Sequence, residues 1–372
     1  MDRGLYIHIP FCKSKCLYCD FCSYSGMSGL MTDYSKALAG EIAEAAVDGI
    51  KSIFIGGGTP TYLSLEGWGI IGEAIGRLNL MEGAEFTVEA NPGTFDEEKL
   101  KALMDMGANR LSIGLQAVQD SHLKRLGRIH TYGEFLKGYR TARKLGFGNI
   151  NVDLMFGLPG QSLEDWKESL QKIAELDPEH ISCYSLIIEE GTEFWRLYEE
   201  GSLQLPDEET ERAMYRHTLE FLREKGYSQY EISNFSKPGK ECRHNLIYWN
   251  LEEYIGCGAG AHSFVDGVRL SNPSGVEEYI GFMEGRGPGK REVHENTAED
   301  TMEEFMFMGL RKTAGIGLSD FRERFGQDIY QVYGDVIRKF QGRGLLAAEG
   351  GRIRLTDKGV ELSNSVMCEF IL

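Results

Sequence analysis

Four cysteines lie close together near the start of the chain, directly after a short apolar stretch. The segment begins Tyr6-Ile-His-Ile-Pro-Phe and continues with Cys12, Cys16 and Cys19 at the spacing C-x3-C-x2-C, and Cys22 follows shortly after them. Thiolate is the form of cysteine that binds metals, and thiolates at this density suit soft sites such as iron–sulfur or zinc. This segment constrains the fold most, because the rest of the chain has to hold these sulfurs around a metal centre.

The positions of the other cysteines separate the metal alternatives. Zinc sites usually pair two Cys-x2-Cys or Cys/His knuckles some distance apart, and no second knuckle follows in the sequence. The remaining cysteines are isolated: Cys183, Cys242, Cys257 and Cys368. A 4Fe-4S cluster would take three cysteines and leave one iron open for a substrate or cofactor, unless Cys22 completes the set. We favour iron–sulfur over zinc, and both over a structural or disulfide role.

The cysteine segment resembles that of the radical S-adenosylmethionine (SAM) superfamily, and within it the oxygen-independent coproporphyrinogen III oxidase-like family. The shared pattern is Tyr-Ile-His-Ile-Pro-Phe-Cys-x3-Cys-x-Tyr-Cys, and later motifs extend the similarity over nearly the whole chain. The resemblance implies that Cys12, Cys16 and Cys19 hold a 4Fe-4S cluster whose open iron binds the amino and carboxyl groups of SAM. One-electron reduction would then cleave SAM to a 5′-deoxyadenosyl radical.

Composition limits the partners and the compartment. The formal net charge of −17 argues against a nucleic-acid partner, because such proteins normally carry a basic patch or stripe. No apolar stretch reaches the roughly 18 residues that a membrane span needs, and no signal-type segment begins the sequence. Clustered cysteines without such a signal fit a reducing compartment. We therefore expect a cytoplasmic protein with no membrane span.

Short β-type stretches alternate with amphipathic stretches in the first half of the chain. The predicted strands are Leu5–Ile9, Ser52–Ile55, Glu85–Glu89, Arg110–Leu115, Asn149–Leu154 and His180–Leu186. The predicted helices include Asp33–Val47, Asp96–Met106, Tyr132–Leu145 and Leu163–Leu176. This alternation favours an α/β fold with a parallel sheet, and six units rather than eight favour an open partial barrel, although periodicity alone also fits a doubly wound sheet. The resemblance implies a partial (β/α)6 TIM-like radical SAM barrel with a laterally open mouth.

The chain divides into a large and a small predicted domain. Residues 1–285 form the barrel domain, in which about 205–285 is a family-specific extension, and residues 286–372 form a small C-terminal domain. A Gly/Pro-rich linker is predicted between them at 285–290. The small domain reads as three helices followed by a hairpin, a winged-helix-like order: Thr301–Arg311, Leu318–Phe325, Ile329–Gly342, then Leu345–Ala348 and Arg352–Leu355.

Three glycines directly follow the second predicted strand, in the order Gly56, Gly57, Gly58 and then Thr59. Without Cβ atoms the backbone can approach a ligand closely and offer its amides, but an ordinary tight turn explains the pattern equally well. The stretch lacks the G-x-G-x-x-G spacing of a dinucleotide site. Its similarity to the radical SAM glycine motif implies that Gly57, Gly58 and Thr59 contact SAM. The same resemblance places Tyr6 and Tyr18 beside the cofactor and the cluster.

Polar side chains stand at the ends of the next predicted strands. Glu89, Gln116 and Asp153 lie where functional residues gather in (β/α) barrels, and Arg128 follows shortly after Gln116. A carboxylate can accept from an ammonium or a ribose hydroxyl, and a guanidinium can clamp a carboxylate. The alternative is hydrogen bonding at the barrel mouth without a ligand. The resemblance implies that these residues bind SAM or line the adjacent pocket, and whether a second SAM binds stays open.

The segment His244-Asn-Leu-Ile-Tyr248-Trp249 separates branches of the family. From the residues alone, a buried tryptophan with a structural histidine is the common outcome, whereas a histidine with two aromatic residues can also ligate and stack on a haem. The pattern is similar to that of the haem-chaperone branch, which implies that His244, Tyr248 and Trp249 contact haem. Phe21, which stands where the true oxidase has a further cysteine, points the same way. Two neighbouring questions stay open: whether His262 faces the pocket or the core, and whether Cys242 touches the haem.

The expected function is therefore that of a radical SAM haem chaperone. Such a protein binds haem or a related tetrapyrrole and passes it to haem-requiring proteins, such as respiratory enzymes at the membrane, and it needs an electron donor. The alternatives are an oxygen-independent coproporphyrinogen III oxidase, which decarboxylates propionate side chains, and another tetrapyrrole-modifying radical SAM enzyme.

Overall fold

The structure of the protein is a computed structural model that describes residues 2–45 and 49–372. The strands are β1 (Arg3–Ile9), β2 (Phe11–Cys12), β3 (Tyr24–Ser25), β4 (Ile50–Gly57), β5 (Leu80–Ala90), β6 (Arg110–Gln116), β7 (Ile150–Phe156), β8 (His180–Ser185), β9 (Ser228–Glu231), β10 (Asn234–Ser236), β11 (Tyr254–Cys257), β12 (His262–Val265), β13 (Val268–Ser271), β14 (Glu292–Glu295), β15 (Ile316–Gly317), β16 (Leu346–Glu349) and β17 (Arg352–Leu355).

The helices follow the strands through the chain. They are α1 (Met31–Glu44), α2 (Leu65–Ile75), α3 (Glu97–Asp105), α4 (Asp120–Arg125), α5 (Tyr132–Leu145), α6 (Leu163–Ala174), α7 (Glu193–Glu199), α8 (Glu208–Glu224), α9 (Arg243–Trp249), α10 (Val276–Met283), α11 (Ala298–Gly309), α12 (Leu318–Phe325), α13 (Ile329–Gly342), α14 (Asp357–Glu361) and α15 (Ser363–Met367). Short 3-10 turns occupy Ser28–Leu30, Pro60–Tyr62 and Cys368–Phe370. The end of the helix predicted at Asp33–Val47 lies outside the described residues.

A 12-stranded sheet organises most of the molecule, in the order β14-β13-β12-β11-β1-β4-β5-β6-β7-β8-β10-β9. Strand β1 and strands β4 to β8 run parallel to one another, and β11 joins the other side of β1 in parallel. The outer strands are antiparallel. Its two end strands, β14 and β9, do not pair with each other within the described residues. The predicted open α/β architecture is therefore confirmed, and β11 adds a seventh parallel strand to the six that were predicted.

The helices begin and end where local chemistry favours it. Helix α5 starts with a capping box, in which the Thr131 side chain accepts from the Glu134 amide and the Glu134 side chain accepts from Thr131. It ends at Gly146 in a left-handed conformation with φ 106°. Strand β6 is buried at every residue, as expected for a central parallel strand covered on both faces. Because β1 and β4 to β8 run parallel, their carboxyl ends meet at one edge of the sheet.

The C-terminal region has a hydrophobic core of its own. This core runs from Met302 to Phe370, and β15, β17 and β16 form a separate 3-stranded sheet beside it. Strand β14 at Glu292–Glu295, however, pairs with β13 in the large sheet. The predicted linker at 285–290 therefore leads into one more strand of the first sheet, because the hydrogen bonds of β13 continue across it. The three predicted helices and the hairpin follow in the expected order.

Across residues 2–45 and 49–372, no helix has both the length and the apolar content that crossing a bilayer requires.

Candidate functional site

A cavity of about 480 Å³ opens at the carboxyl ends of the parallel strands. Most of the side chains that the sequence singled out line it together: Cys12, Cys16, Tyr18, Cys19, Gly57, Gly58, Thr59, Glu89, Gln116, Arg128 and Asp153. We refer to it as the cluster cavity. Its size and its position at the carboxyl end of the sheet are typical of a ligand site in an α/β protein.

Backbone hydrogen bonds fix the loop that carries the cysteines. After β1, the Tyr24 amide donates to the Pro10 carbonyl at 2.7 Å and closes the base of the loop. In its middle, the Leu17 amide donates to the Leu126 carbonyl at 3.1 Å, and the Leu17 carbonyl accepts from the Phe194 amide at 2.9 Å. The Leu17 side chain packs on a small apolar cluster that includes Leu126 and Phe194. The loop is therefore held by elements distant in sequence.

Cys22 is separated from the other three cysteines. It does not line the cluster cavity, and its Sγ lies 3.4 Å from the Ser274 carbonyl oxygen and 3.7 Å from the Tyr24 hydroxyl. Within the described residues, no group of three His, Cys, Asp or Glu side chains converges on one point that would hold a single metal ion. Three cysteines around a larger cavity fit a cluster with one open iron better than they fit a zinc ion.

The glycine stretch after β4 differs from the expectation in one respect. Its amides are already used, because Gly57 N donates to Glu89 Oε2 at 3.2 Å, Gly58 N to the Ile9 carbonyl at 2.8 Å, and Thr59 N to the Phe11 carbonyl at 2.8 Å. A Cβ on Gly58 would lie 2.9 Å from the Phe11 carbonyl oxygen. The glycines thus let β4 pack against the start of the cysteine loop, and the groups left for a ligand are carbonyl oxygens.

Two carboxyl groups face each other across the cluster cavity. Burial and the nearby Asp153 carboxylate raise the pKa of Glu89 to about 8. Asp153 accepts from Asn151 Nδ2 at 2.8 Å and from Ser112 Oγ at 3.2 Å, and burial raises its pKa as well. A cationic group bound between Glu89 and Asp153 would relieve their mutual repulsion, so the pair suits an ammonium or sulfonium ligand.

Arg128 connects the cysteine loop to the strand ends. Its Nη2 donates to Asn91 Oδ1 and to the Gly114 carbonyl, both at 2.5 Å, and its Nη1 donates to Cys16 Sγ at 3.5 Å. Asn91 also donates to Thr59 Oγ1 at 2.8 Å. Sequence reasoning did not select Asn91, although it lies two residues after Glu89 in the sequence Glu-Ala-Asn-Pro. This network orients a guanidinium toward the sulfurs.

Gln116 has a backbone conformation that is unusual for its residue type. Its φ is 77°, and the pairing of β6 with β7 shifts register between Gly114 and Gln116. A left-handed non-glycine residue is strained by about 1–3 kcal/mol, and such residues cluster at functional sites. The distortion turns the Gln116 side chain into the cluster cavity at the end of β6.

The floor of the cluster cavity holds polar residues that sequence reasoning missed. Arg110 is 2% exposed, and its Nη1 lies 3.5 Å from Thr87 Oγ1. His180 Nδ1 contacts Asn151 Oδ1 at 2.6 Å, which ties β8 to β7. The signal for Arg110 was present, since it is a charged residue that opens an otherwise apolar strand. Cys242 also lines the floor, where burial raises its pKa to about 12.

A second cavity of about 360 Å³ lies on the other side of the cysteine loop. Its lining residues are Tyr6, His8, Phe21, Cys22, Gly57, Glu89, Tyr248, Tyr254, Gly260 and His262. We call it the aromatic cavity. It shares Phe21, Gly57 and Glu89 with the cluster cavity, so the two adjoin. Tyr6 lines the aromatic cavity, and its hydroxyl lies 2.9 Å from His8 Nδ1, so its predicted place beside SAM stays a prediction.

The predicted haem contacts divide between two places. His244 is 1% exposed, and both ring nitrogens are occupied, Nδ1 by the Ser52 hydroxyl at 2.8 Å and Nε2 by the Tyr248 hydroxyl at 2.9 Å. The Arg311 guanidinium packs over the Trp249 ring, with its Cζ 4.5 Å from the ring centroid, and Trp249 lines neither cavity. In this arrangement His244 and Trp249 are held by contacts within the protein, and their role as haem contacts stays a prediction. Of the three predicted haem contacts, Tyr248 is the one that lines the aromatic cavity.

Comparison with known proteins decides the family. The model of the radical SAM superfamily matches residues 6–173, and that of the HemN C-terminal domain matches residues 296–362. A heme chaperone HemW from Bacillus subtilis is 42% identical over 375 residues, which cover 99% of each chain. This chain belongs to the HemW family of the radical SAM superfamily. A second HemW, from Lactococcus lactis, is 38% identical over 100% of this chain and 97% of its own length.

The HemW family fold agrees with a solved structure. Coproporphyrinogen III oxidase (HemN) from Escherichia coli, a radical SAM enzyme, superposes with a TM-score of 0.85 over 99% of this chain and 90% of its own, at 22% identity. This likeness establishes the fold, including the partial barrel and the small C-terminal domain. Membership of the radical SAM superfamily implies a 4Fe-4S cluster and SAM, and the three cysteines, the facing carboxyl groups and Arg128 in one cavity fit both.

Proposed function

We propose that this protein is a haem chaperone that binds haem and delivers it to haem-requiring proteins. The observation that carries the proposal is the 42% identity to the B. subtilis heme chaperone over 99% of both chains. The recipients would be haem-dependent respiratory proteins, and a separate protein would supply electrons. The free cysteines and the absence of a spanning helix in the described residues support a reducing, cytoplasmic setting.

The cluster cavity would hold the resident cofactors. We assign Cys12, Cys16 and Cys19 as the ligands of the 4Fe-4S cluster and leave Cys22 outside the set. When bound, the cluster and SAM supply one-electron reductive cleavage of SAM. The chain's own part is to position the ligand: the carbonyls of Gly57 and Gly58 and the Glu89 carboxylate accept from its ammonium.

The other side of the same ligand meets a different set of groups. Arg128 presents a guanidinium beside Cys16, where a carboxylate on the open iron would lie. Gln116 and Asp153, at the ends of β6 and β7, are the hydrogen-bond partners for ribose hydroxyls. Tyr18 lies between the cysteines and packs on Phe194, 6.3 Å between ring centroids, and shields the cluster from water.

A second function is favoured by the fold match to the E. coli oxidase. That function is oxidative decarboxylation of coproporphyrinogen III. The deciding assay uses anaerobically reconstituted protein with dithionite, SAM and coproporphyrinogen III, and it follows protoporphyrinogen formation by chromatography after oxidation. We expect no turnover above a cluster-free control, whereas turnover at an enzyme-like rate would reject the chaperone proposal.

The chaperone activity has its own direct test. Reconstituted protein loaded with haem is mixed with an excess of a haem-free acceptor protein, and the transfer is followed by the acceptor's Soret band. We expect stoichiometric haem binding and transfer that is faster than from haem-loaded serum albumin. Failure to bind haem at micromolar concentration would refute the proposed function.

A further inference from the structure

We propose that haem binds in the aromatic cavity, with the imidazole of His262 as an iron ligand. The inference rests on the proposed function and names the site of its cargo. It separates the haem from His244 and Trp249 but keeps Tyr248 in the wall of the site, and it places the haem beside the cluster cavity.

His262 is the histidine in this cavity with a free side chain. It begins β12, is exposed, and its ring makes no hydrogen bond to any described residue. The other histidine of the cavity, His8, has both ring nitrogens occupied, by the Tyr6 hydroxyl at 2.9 Å and by the Cys22 carbonyl at 2.7 Å. Neutral imidazole is a common ligand of haem iron. Of the two imidazoles, His262 is thus the one that can coordinate without breaking an existing bond.

The walls around His262 suit a flat aromatic ligand. Tyr6, Tyr248 and Tyr254 line the cavity, and Tyr248 and Tyr254 meet edge to face, 4.7 Å between ring centroids. At the mouth, Phe21 leaves 62% of its surface exposed, which is unusual for a large apolar side chain beside a cavity. Aromatic rings of this kind pack on the faces and edges of a porphyrin.

The turn that carries His262 is rigidly supported. The Gly258 amide donates to the buried Glu41 carboxylate at 2.7 Å, and the Ala259 amide donates to the Tyr34 hydroxyl at 2.9 Å. Gly260 has φ 68°, and a Cβ there would lie 2.9 Å from Cys22 Sγ, so glycine lets the turn close on the cysteine loop. A fixed turn presents the imidazole in one orientation, as a metal ligand requires.

The size and charge of the cavity fit cargo rather than a permanent cofactor. A volume of about 360 Å³ encloses only part of a porphyrin, so one edge stays accessible to an acceptor protein. No lysine or arginine is among the lining residues that the structure describes, which leaves the propionate groups in water. Because Gly57 and Glu89 are shared with the cluster cavity, bound haem would lie next to SAM.

The test compares haem binding by wild type, His262→Ala, His262→Met and the control His294→Ala. His294 is a second exposed histidine, on β14, outside both cavities. Reconstituted proteins are titrated anaerobically with iron protoporphyrin IX, and the iron ligation is read from Soret-excited resonance Raman and magnetic circular dichroism spectra. Melting temperatures confirm that the variants fold.

We expect wild type and His294→Ala to give the same spectrum and affinity. His262→Ala should weaken binding at least about tenfold, since loss even of a group behind a metal ligand costs that much. His262→Met should restore part of the affinity with a thioether-type spectrum. A His262→Ala variant with the wild-type spectrum and affinity would overturn the inference and leave the chaperone function intact, whereas wild type that binds no haem would refute both.

Discussion

The buried carboxylate of Glu41 holds the turn between β11 and β12, and its removal has a calculable cost. Glu41, on α1, is 2% exposed and accepts four hydrogen bonds. Its Oε2 accepts from the Gly258 amide at 2.7 Å and from the Tyr279 hydroxyl at 2.6 Å. Its Oε1 accepts from Asn272 Nδ2 at 2.8 Å and from Arg291 Nη2 at 2.6 Å.

We predict that Glu41→Gln lowers the free energy of unfolding by about 3–5 kcal/mol. The amide NH2 replaces one acceptor oxygen, so two of the four donors lose their acceptor, and each hydrogen bond to a charged group contributes about 1.5–3 kcal/mol. The predicted loss of stability is less than twice the upper value per hydrogen bond, because the Arg291 side chain is 38% exposed and its guanidinium can hydrogen-bond to water instead. For a barrel domain of roughly 290 residues, an unfolding entropy of about 2.1 cal/mol/K per residue converts this into a Tm decrease of about 5–8 °C.

The assay is differential scanning calorimetry of reconstituted protein, with Glu44→Gln as the matched control. Glu44 lies on the same helix, one turn further on, and is exposed. Its replacement should change stability by no more than about 0.5 kcal/mol, as is usual for surface substitutions. If Glu41→Gln shifts Tm no more than Glu44→Gln does, the Glu41 network does not support the turn.

Three further predictions follow from the cluster cavity and its surroundings. Burial raises the pKa of Glu89 from 4.5 to about 8, so between these pH values the folded cofactor-free protein keeps a proton that the unfolded chain releases. Wild type therefore loses stability as pH rises from 5 to 9, and the Tm of Glu89→Gln minus the Tm of wild type should increase over this range. A Tm difference that does not change with pH would contradict the assignment. Arg128→Gln removes the donor to Cys16 Sγ and should lower the reduction potential of the cluster in an EPR-monitored redox titration, whereas Arg125→Gln on α4 should leave it unchanged. His244→Ala should lower Tm by breaking two buried hydrogen bonds and leave the haem spectrum unchanged; the opposite pattern would restore His244 as a haem ligand.

Local sequence patterns were enough to predict the barrel strands. Strand β6 was predicted at Arg110–Leu115 and runs over Arg110–Gln116, because a buried parallel strand is apolar on both faces and ends at a polar residue. Helix α5 was predicted with its observed bounds, Tyr132–Leu145, since its periodicity and its flanking cap residues agree. These elements are encoded by neighbours in the sequence.

Long-range pairing could not be read from the same patterns. Strand β11, Tyr254–Cys257, runs parallel to β1, although the two are at opposite ends of the barrel domain in sequence. The sequence analysis did not predict β11, and no local pattern indicates that it pairs with β1. This pairing brings the Gly258 turn and His262 against the cysteine loop, so the aromatic cavity was invisible in the sequence.

The cysteine motif predicted which sulfurs line the cluster cavity, whereas the haem contacts stay a prediction. Spacing placed Cys12, Cys16 and Cys19 near one another but left open whether Cys22 joins them, and the family resemblance implied the set of three. The role of His244 depends instead on Ser52 and Tyr248, which occupy its two nitrogens. Whether a histidine is free to bind metal is a property of its packed surroundings, which a motif does not specify.

The central claim is that three cysteines hold a 4Fe-4S cluster with one open iron while Cys22 stays outside it. The most direct measurement is iron and sulfide content with low-temperature EPR of dithionite-reduced Cys22→Ala, before and after addition of SAM. We predict about four irons and four sulfides per chain, the composition of a 4Fe-4S cluster, and a signal that SAM perturbs, as in wild type. Loss of the cluster in Cys22→Ala, or stoichiometric zinc with no SAM-responsive signal in wild type, would contradict the account.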